Sequence, residues 1–158
     1  MDIRKIQVLV LLILASAGCE NNTGWSKSDG QDRDRSYVNG RSPTDENVLP
    51  FSSAVQVGNT LYISGTLGLD TGQKVPATPE AEAKNIMDNI QNLLEDAGMT
   101  MDDLVAVQVF SSDVSDYDAF NSIYRTYFNK EFPARAYVGS GTLLFGARFE
   151  VLGTAVKR

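Results

Sequence analysis

The chain has 158 residues, of which 42% are hydrophobic and 22% charged, so it is long enough to form one domain with a real core. Its formal net charge of −6 argues against nucleic acid or an anionic membrane surface as a partner. There is no histidine and a single cysteine, Cys19, which excludes histidine-assisted nucleophilic catalysis, an intrachain disulfide and a cysteine cluster for a metal.

The beginning of the chain predicts export. A short basic start over residues 1–5 precedes a mostly apolar run over residues 6–15, which is too short for a stable membrane span. Small residues then lead to Cys19, and this ending resembles the lipobox of bacterial lipoproteins. We therefore expect a signal peptide over residues 1–18, lipidation of Cys19 with a lipid anchor to the membrane, and a periplasmic or membrane-anchored lipoprotein of a bacterium. Ordinary signal cleavage of a secreted protein is the alternative.

The next segment is polar and has little to bury. Residues 19–46 are rich in Asn, Asp, Ser, Gly and Arg, a composition typical of a flexible tether. The folded domain is predicted to occupy residues 47–158.

The first half of this domain predicts a hairpin followed by a helix. Residues 54–57 and 60–64 are β-like and meet at the turn dipeptide Gly58-Asn59. A glycine-rich loop over residues 65–75 follows. Thr78, with proline next to it, predicts the start of a helix whose apolar stripe continues to Gly98, a residue typical of a helix end.

The second half predicts a strand, a helix and two more strands. Residues 104–110 form an apolar strand, and residues 115–118 resemble a capping box that opens a second helix. Strands are predicted at about 135–139 and 147–156. The order β-β-α-β-α-β-β indicates an α+β sandwich, with two helices packed on one face of a mixed sheet. We expect Tyr62, Val105, Val107 and Val109 to form an apolar group on the other face, covered by association between subunits.

Two charged residues near the end of the chain are candidates for chemistry. Arg135 follows Pro133, whose fixed backbone angle can hold the guanidinium in a position suited to a carboxylate. Glu150 lies between apolar neighbours on a predicted strand and is a candidate general base. From these residues alone, a structural ion pair between the two side chains is the favoured interpretation.

The other candidate positions are weaker. Ser64 and Gly65 end a strand, where a hydroxyl and a close backbone approach could serve a substrate, or where the strand simply stops. Asn121 on the second helix is either a polar contact or a surface amide. No Ser-x-x-Lys pattern includes Ser64, which argues against covalent acyl transfer.

Five short motifs occur in an order that resembles a known family. They are Pro50-Phe51-Ser52-Ser53-Ala54-Val55, Leu61-Tyr62-Ile63-Ser64-Gly65, Asn121, Phe132-Pro133-Ala134-Arg135 and Phe149-Glu150-Val151. Over about residues 48–158 the chain resembles the RidA (YjgF-type) family of reactive intermediate imine/enamine deaminases. The resemblance implies a chorismate-mutase-like α+β fold, a homotrimer, and active sites in clefts between subunits. It also implies hydrolysis of 2-imino or enamine acids, such as 2-iminobutanoate and 2-iminopropanoate, to 2-oxo acids and ammonia without a cofactor.

The resemblance assigns a role to each matching residue. Arg135 matches the arginine that grips the substrate carboxylate, and Glu150 matches the acid that positions or activates water. Ser64, Gly65 and Asn121 match residues that line the site. Phe51 stands where members carry a tyrosine, and Tyr137 where they often carry a cysteine, so both change the pocket wall.

Two other functions stay open at this point. One is a non-catalytic ligand-binding or interaction protein on the same scaffold. The other is a hydrolase of another small imino or acylated compound.

Overall fold

The computed structural model describes residues 35–42, 44, 46 and 48–158, together with the backbone of residues 25–27. The strands are β1 (Trp25–Lys27), β2 (Arg35–Val38), β3 (Ala54–Val57), β4 (Thr60–Leu67), β5 (Leu104–Ser111), β6 (Ala134–Gly139) and β7 (Phe149–Val156). The helices are α1 (Pro79–Asp96) and α2 (Tyr117–Tyr124). From β3 onwards this is the predicted order, and β1 and β2 are additions.

The described strands form one mixed sheet in the order β1-β2-β3-β4-β7-β5-β6. Among the described strands, only β5 and β6 pair in parallel. A parallel pair needs a long crossover connection, and here that connection contains α2. The predicted hairpin of β3 and β4 is confirmed, with Gly58 at a φ of 56° in the turn. Strand β7 lies in the middle of the sheet, between β4 and β5.

Strand β2 corrects the prediction of a tether over residues 19–46. Arg35 pairs with Val57 and Val38 pairs with Ala54, so β2 extends the sheet beyond the hairpin. Val38 is only 2% exposed, and its carbonyl oxygen accepts a hydrogen bond from the Ser53 amide at 2.9 Å. Burial of this one apolar residue and the backbone pairing hold the segment in place. The predicted signal peptide over residues 1–18 and the lipidation site at Cys19 lie outside the described residues.

Both helices pack on the same face of the sheet, as predicted. Helix α1 begins after Thr78, whose hydroxyl accepts a hydrogen bond from the Ala81 amide at 3.2 Å, and Gly98 has a φ of 66° just past its end. The predicted capping box at 115–118 is wrong. The Asp113 carboxylate accepts from the Ser115 amide at 2.9 Å and caps a single 3₁₀ turn, Val114–Asp116, that leads into α2.

The core lies between the helices and the sheet, and it includes two residues that we expected on the other face. Val107 and Val109 are 3% and 0% exposed and belong to this core. Tyr62 and Val105 are 53% and 46% exposed, so these two residues lie outside this core, as expected. We call the surface opposite the helices the open face. No helix in the described part of the chain is long and apolar enough to cross a membrane.

Candidate active site

Strand β6 presents Arg135 to helix α2. Arg135 pairs with Val107, a core residue, so its side chain lies on the helix-bearing face of the sheet. One guanidinium nitrogen, Nη2, donates a hydrogen bond to Oδ1 of Asn121 at 2.7 Å. The guanidinium carbon lies 4.5 Å from the centre of the Tyr124 ring, at a distance typical of a cation–π contact. An amide and an aromatic ring therefore fix the guanidinium without neutralising its charge.

The guanidinium of Arg135 has unused binding capacity. Its Nη1 atom is buried and has no hydrogen-bond partner, and Arg135 forms no salt bridge with any described residue. The structural ion pair between Arg135 and Glu150 that the sequence favoured is therefore wrong. A buried donor without a partner is costly, so an acceptor from a ligand would stabilise this position.

Arg135 lies at the wall of a cleft of about 240 Å³, which we call the arginine cleft. It is lined by Tyr117, Asn121, Tyr124, Arg125, Phe132, Pro133 and Arg135. Tyr137 lies close by, since its ring is 4.9 Å from that of Tyr117 and 5.9 Å from the guanidinium carbon. Burial raises the pKa of Tyr124 to about 12 and also raises the pKa of Tyr137, so both phenols stay neutral near pH 7. These phenols therefore do not neutralise the positive charge of Arg135, which is available to an anionic ligand.

A second group of predicted residues lies around strand β4. Ser64 and Gly65 sit where the register between β4 and β7 shifts, and the Ser64 hydroxyl donates to the Ser52 carbonyl oxygen at 2.7 Å. They border a cleft of about 400 Å³, which we call the glycine cleft. It is lined by Asn39, Phe51, Ser53, Ser64, Gly65, Thr66, Asn89, Asn92, Leu93 and Asp96. Phe51 is 51% exposed and supplies an apolar wall.

Glu150 packs directly against Gly65. A Cβ atom placed on Gly65 would lie 2.9 Å from Cδ of Glu150 and closer still to Oε1. Only glycine leaves room for the carboxylate at this point. Among the described residues, the Glu150 carboxylate has no hydrogen-bond or ion-pair partner, so it is free to hold a water molecule or a proton.

Arg135 and Glu150 lie on opposite faces of the sheet. Phe149 is fully buried, with its ring 4.9 Å from that of Phe120 in α2, so the next residue of β7 points away from the helices. Arg135 is aligned with Val107 of β5, whereas Glu150 is aligned with Phe110, three positions further along and on the other side of that strand. One small substrate cannot contact both side chains within one protomer.

The structure therefore divides the predicted site into two parts. Arg135, Asn121 and Tyr137 come together at the arginine cleft, and Ser64, Gly65, Phe51 and Glu150 come together around β4. The sequence analysis predicted Tyr137 but missed the other two tyrosines beside the guanidinium, Tyr117 and Tyr124. Tyr117, Asn121 and Tyr124 have the spacing i, i+4, i+7, which places them on one helical face and was the available signal.

A buried ion pair supports the strand that carries Glu150. The Glu82 side chain in α1 is 0% exposed, and its Oε1 accepts hydrogen bonds from the Arg148 and Phe149 amides at 2.7 and 3.1 Å. Its Oε2 binds Nη1 of Arg148 at 2.9 Å, and that same nitrogen donates to the Pro76 carbonyl oxygen at 2.9 Å. Helix α1 is thus tied to the start of β7. Within the described residues, no cluster of three acidic or cysteine side chains could hold a metal ion.

Comparison with known proteins supports the family resemblance that the sequence motifs indicated. The family model described as Endoribonuclease L-PSP matches residues 42–157. A 2-iminobutanoate/2-iminopropanoate deaminase from Capra hircus is 41% identical over 112 residues, covering 70% of this chain and 82% of the relative. The protein of the same name from Homo sapiens is 37% identical over 112 residues, with the same coverage.

Solved structures show the same fold. The YjgF gene product from E. coli superposes with a TM-score of 0.66 at 30% identity, covering 74% of this chain and 94% of that one. RidA from an Antarctic Psychrobacter gives a TM-score of 0.66 at 34% identity, covering 69% and 89% of the two chains.

The comparison also overturns part of the prediction for the first residues. The relatives are named as imino acid deaminases, and none of these names describes an exported or lipid-bearing protein. The comparison therefore does not support the signal peptide, the lipoprotein and the periplasmic protein that were expected from the sequence.

Proposed function

Because the chain belongs to the Endoribonuclease L-PSP (YjgF/RidA) family, as its motifs predicted, we propose that it hydrolyses reactive 2-imino or enamine acids to 2-oxo acids and ammonia. The observation that carries this proposal is the state of the Arg135 guanidinium. Its buried Nη1 has no hydrogen-bond partner, it forms no salt bridge with a described residue, and it lies beside a small cleft. A planar guanidinium held in this way suits the carboxylate that every 2-imino acid carries.

The reaction requires little beyond positioning and proton transfer. Arg135 binds the substrate carboxylate, which orients the neighbouring imine carbon. Glu150 accepts a proton from a water molecule as the water oxygen adds to that carbon, and the proton passes to the nitrogen. The hydroxyl group of this adduct then gives up its proton, which passes to the nitrogen through Glu150; the C–N bond breaks, ammonia leaves and the C=O bond of the 2-oxo acid forms. One water molecule is consumed, and no oxidant or cofactor takes part.

The two parts of the site meet only if two copies of the chain contribute. Arg135 and Glu150 lie on opposite faces of one sheet, and the open face carries the exposed Tyr62 and Val105. A face of this kind favours association of sheets. We propose a homotrimer in which the arginine cleft of one protomer lies against Gly65 and Glu150 of the next.

The word endoribonuclease in the family description does not extend to this chain. RNA binding depends on many cationic contacts to phosphates, and the formal net charge here is −6. A cleft of about 240 Å³ suits a small anion better than a nucleic-acid strand.

The separation of Arg135 from Glu150 favours one second candidate. A protomer that does not bring Glu150 to the arginine cleft would bind a small carboxylate without hydrolysing it. In that case the protein would be a ligand-binding member of the family.

The proposal is tested by following ammonia and 2-oxo acid release from 2-imino acids that an amino-acid oxidase generates in the assay. Arg135→Ala is expected to lower kcat/KM about 100-fold, because a charge-assisted bidentate pair is lost, while the circular dichroism spectrum stays unchanged. Arg158→Ala removes an exposed arginine that pairs with Asp103 and serves as the matched control. Hydrolysis by Arg135→Ala at the wild-type rate would refute the assignment.

A further inference from the structure

A second arginine lines the arginine cleft, and its role is not explained by a substrate with one carboxylate. We propose that the cleft accepts 2-imino dicarboxylic acids of four or five carbons, with Arg125 binding the second carboxylate. This inference rests on the function proposed above and adds the substrate class.

Asn121 holds both arginines. Its side-chain Oδ1 accepts a hydrogen bond from Nη2 of Arg135 at 2.7 Å, and its backbone oxygen accepts one from Nε of Arg125 at 3.3 Å. The bond to Nε fixes the stem of Arg125 and leaves both terminal nitrogens of its guanidinium free to donate. Both arginines line the same cleft, and both are held by Asn121.

The charges of the cleft call for two anionic groups. Neither Arg125 nor Arg135 forms a salt bridge with a described residue. The phenol of Tyr124, which also lines the cleft, stays neutral near pH 7, since burial raises its pKa to about 12. A substrate with one carboxylate would neutralise Arg135 alone, whereas a dicarboxylate would pair with both cations.

The size of the cleft agrees with a molecule of this class. If each non-hydrogen atom takes about 25–30 Å³, as a water molecule does in the liquid, a cleft of about 240 Å³ holds roughly eight or nine such atoms. A four-carbon 2-imino dicarboxylic acid, with four carbons, four oxygens and one nitrogen, fills the cleft, and a five-carbon one would extend slightly past it. The aromatic rings of Tyr117 and Phe132 would border the carbon chain between the two charged ends.

The binding test uses two stable 2-oxo acids that differ in the second carboxylate, 2-oxoglutarate and 2-oxobutanoate, in titration calorimetry. Wild type is expected to bind 2-oxoglutarate at least about 10-fold more tightly, the scale of one charge-assisted contact. Arg125→Ala should abolish that preference, Arg125→Lys should keep part of it, and Lys157→Ala, an exposed lysine just past the end of β7, should keep all of it. Equal binding of the two acids by wild type, or an unchanged preference in Arg125→Ala, would overturn the inference.

The kinetic test compares imines made from glutamate and from 2-aminobutanoate by matching oxidases. The ratio of kcat/KM for the dicarboxylate to that for the monocarboxylate should fall at least about 10-fold in Arg125→Ala and stay constant in Lys157→Ala. A ratio that is unchanged, with both imines hydrolysed, would overturn this inference and leave the proposed function standing. Hydrolysis of neither imine, with the binding preference intact, would instead refute the proposed function.

Discussion

At the scale of single residues, the environment of Arg135 accounts for its suitability as an anion site. Asn121 supplies one neutral acceptor and Tyr124 supplies a ring at 4.5 Å, so the guanidinium is held while its charge remains available. A carboxylate in the place of Asn121 would hold the arginine equally well but would compete with the substrate. In a structural ion pair, a carboxylate would hold the arginine. Here the neighbours that hold Arg135 are neutral, and this distinguishes the site from such a pair.

The sequence predicted Arg135, Asn121 and Glu150 as site residues but could not predict their partners. The rigid Pro133 and the strand pattern are local features. The ring of Tyr124 beside Arg135, and the lack of a salt bridge between Arg135 and any described residue, follow from packing between α2 and β6. An apolar stripe on a helix does not show which of its aromatic rings will face an arginine. The contact between Tyr124 and Arg135 could therefore not be predicted from the sequence.

Tyr124 has a measurable signature at high pH. Its phenol is 4% exposed, lacks a hydrogen-bond partner among the described residues, and has a pKa raised by burial from 10.0 to about 12. Above pH 10 the unfolded chain ionises this group while the folded chain does not, so stability falls as the pH rises towards 12. Tyr124→Phe keeps the ring and removes the ionisable group. We expect thermal unfolding between pH 10 and 12 to show a shallower loss of stability for Tyr124→Phe than for wild type, and equal slopes would contradict the burial of this phenol.

At the scale of elements, local sequence signals predicted the order of elements from β3 to β7. Two features were not predicted: strand β2 and the side of β5 that faces the core. The helix start at Thr78 and the turn at Gly58 depend on neighbouring residues and were predicted correctly. Strand β2 was assigned to a tether because the segment is polar on average, although Val38 and the backbone pairing with β3 hold it in the sheet. The faces of β5 were also misjudged. Val105, Val107 and Val109 alternate as if they shared one face, but the register of β5 with β7 shifts between Leu104 and Ala106, and Val105 is exposed while Val107 and Val109 are buried.

The tie between α1 and β7 is the element contact that the sequence hid most completely. Glu82 lies in a helix whose other acidic residues are exposed, and only the fold brings it to Arg148, which is 66 positions away. Its three hydrogen bonds, one of which is also the ion pair with Arg148, leave neither oxygen unsatisfied. A fully paired buried carboxylate of this kind fixes the register of β7 and with it the position of Glu150.

We expect Glu82→Ala to lower the free energy of unfolding by about 3–5 kcal/mol, because it leaves the Arg148 guanidinium and two backbone amides without their acceptor. Lys84→Ala, which breaks an exposed ion pair with Asp88 on the same helix, should cost less than about 1 kcal/mol. Chemical denaturation at one fixed protomer concentration compares the two variants. A similar, small effect of both would show that the buried pair does not support the fold.

At the scale of the whole molecule, Arg135 and Glu150 lie on opposite faces of one sheet. The proposed function therefore requires that more than one copy of the chain contributes to a site. The arginine cleft lies at the β6 edge, next to α2, whereas Gly65 and Glu150 lie near β4 and point elsewhere. Under the proposed function, an isolated protomer therefore carries the proposed carboxylate-binding residue and the proposed general base at places that one small substrate cannot span. The apolar side chains on the open face, Tyr62 and Val105 among them, are the surface through which copies would associate.

Complementation between two inactive variants tests this account most directly. Arg135→Ala and Glu150→Gln chains carrying different affinity tags are produced together and purified through both tags, so that every assembly contains both variants. A cyclic trimer of this kind has one interface of three with an intact Arg135 facing an intact Glu150, so we expect about one third of the wild-type rate of ammonia release from a 2-imino acid. Each variant alone should retain at most about one hundredth of the wild-type activity. A doubly tagged assembly no more active than the separate variants would contradict a site shared between protomers.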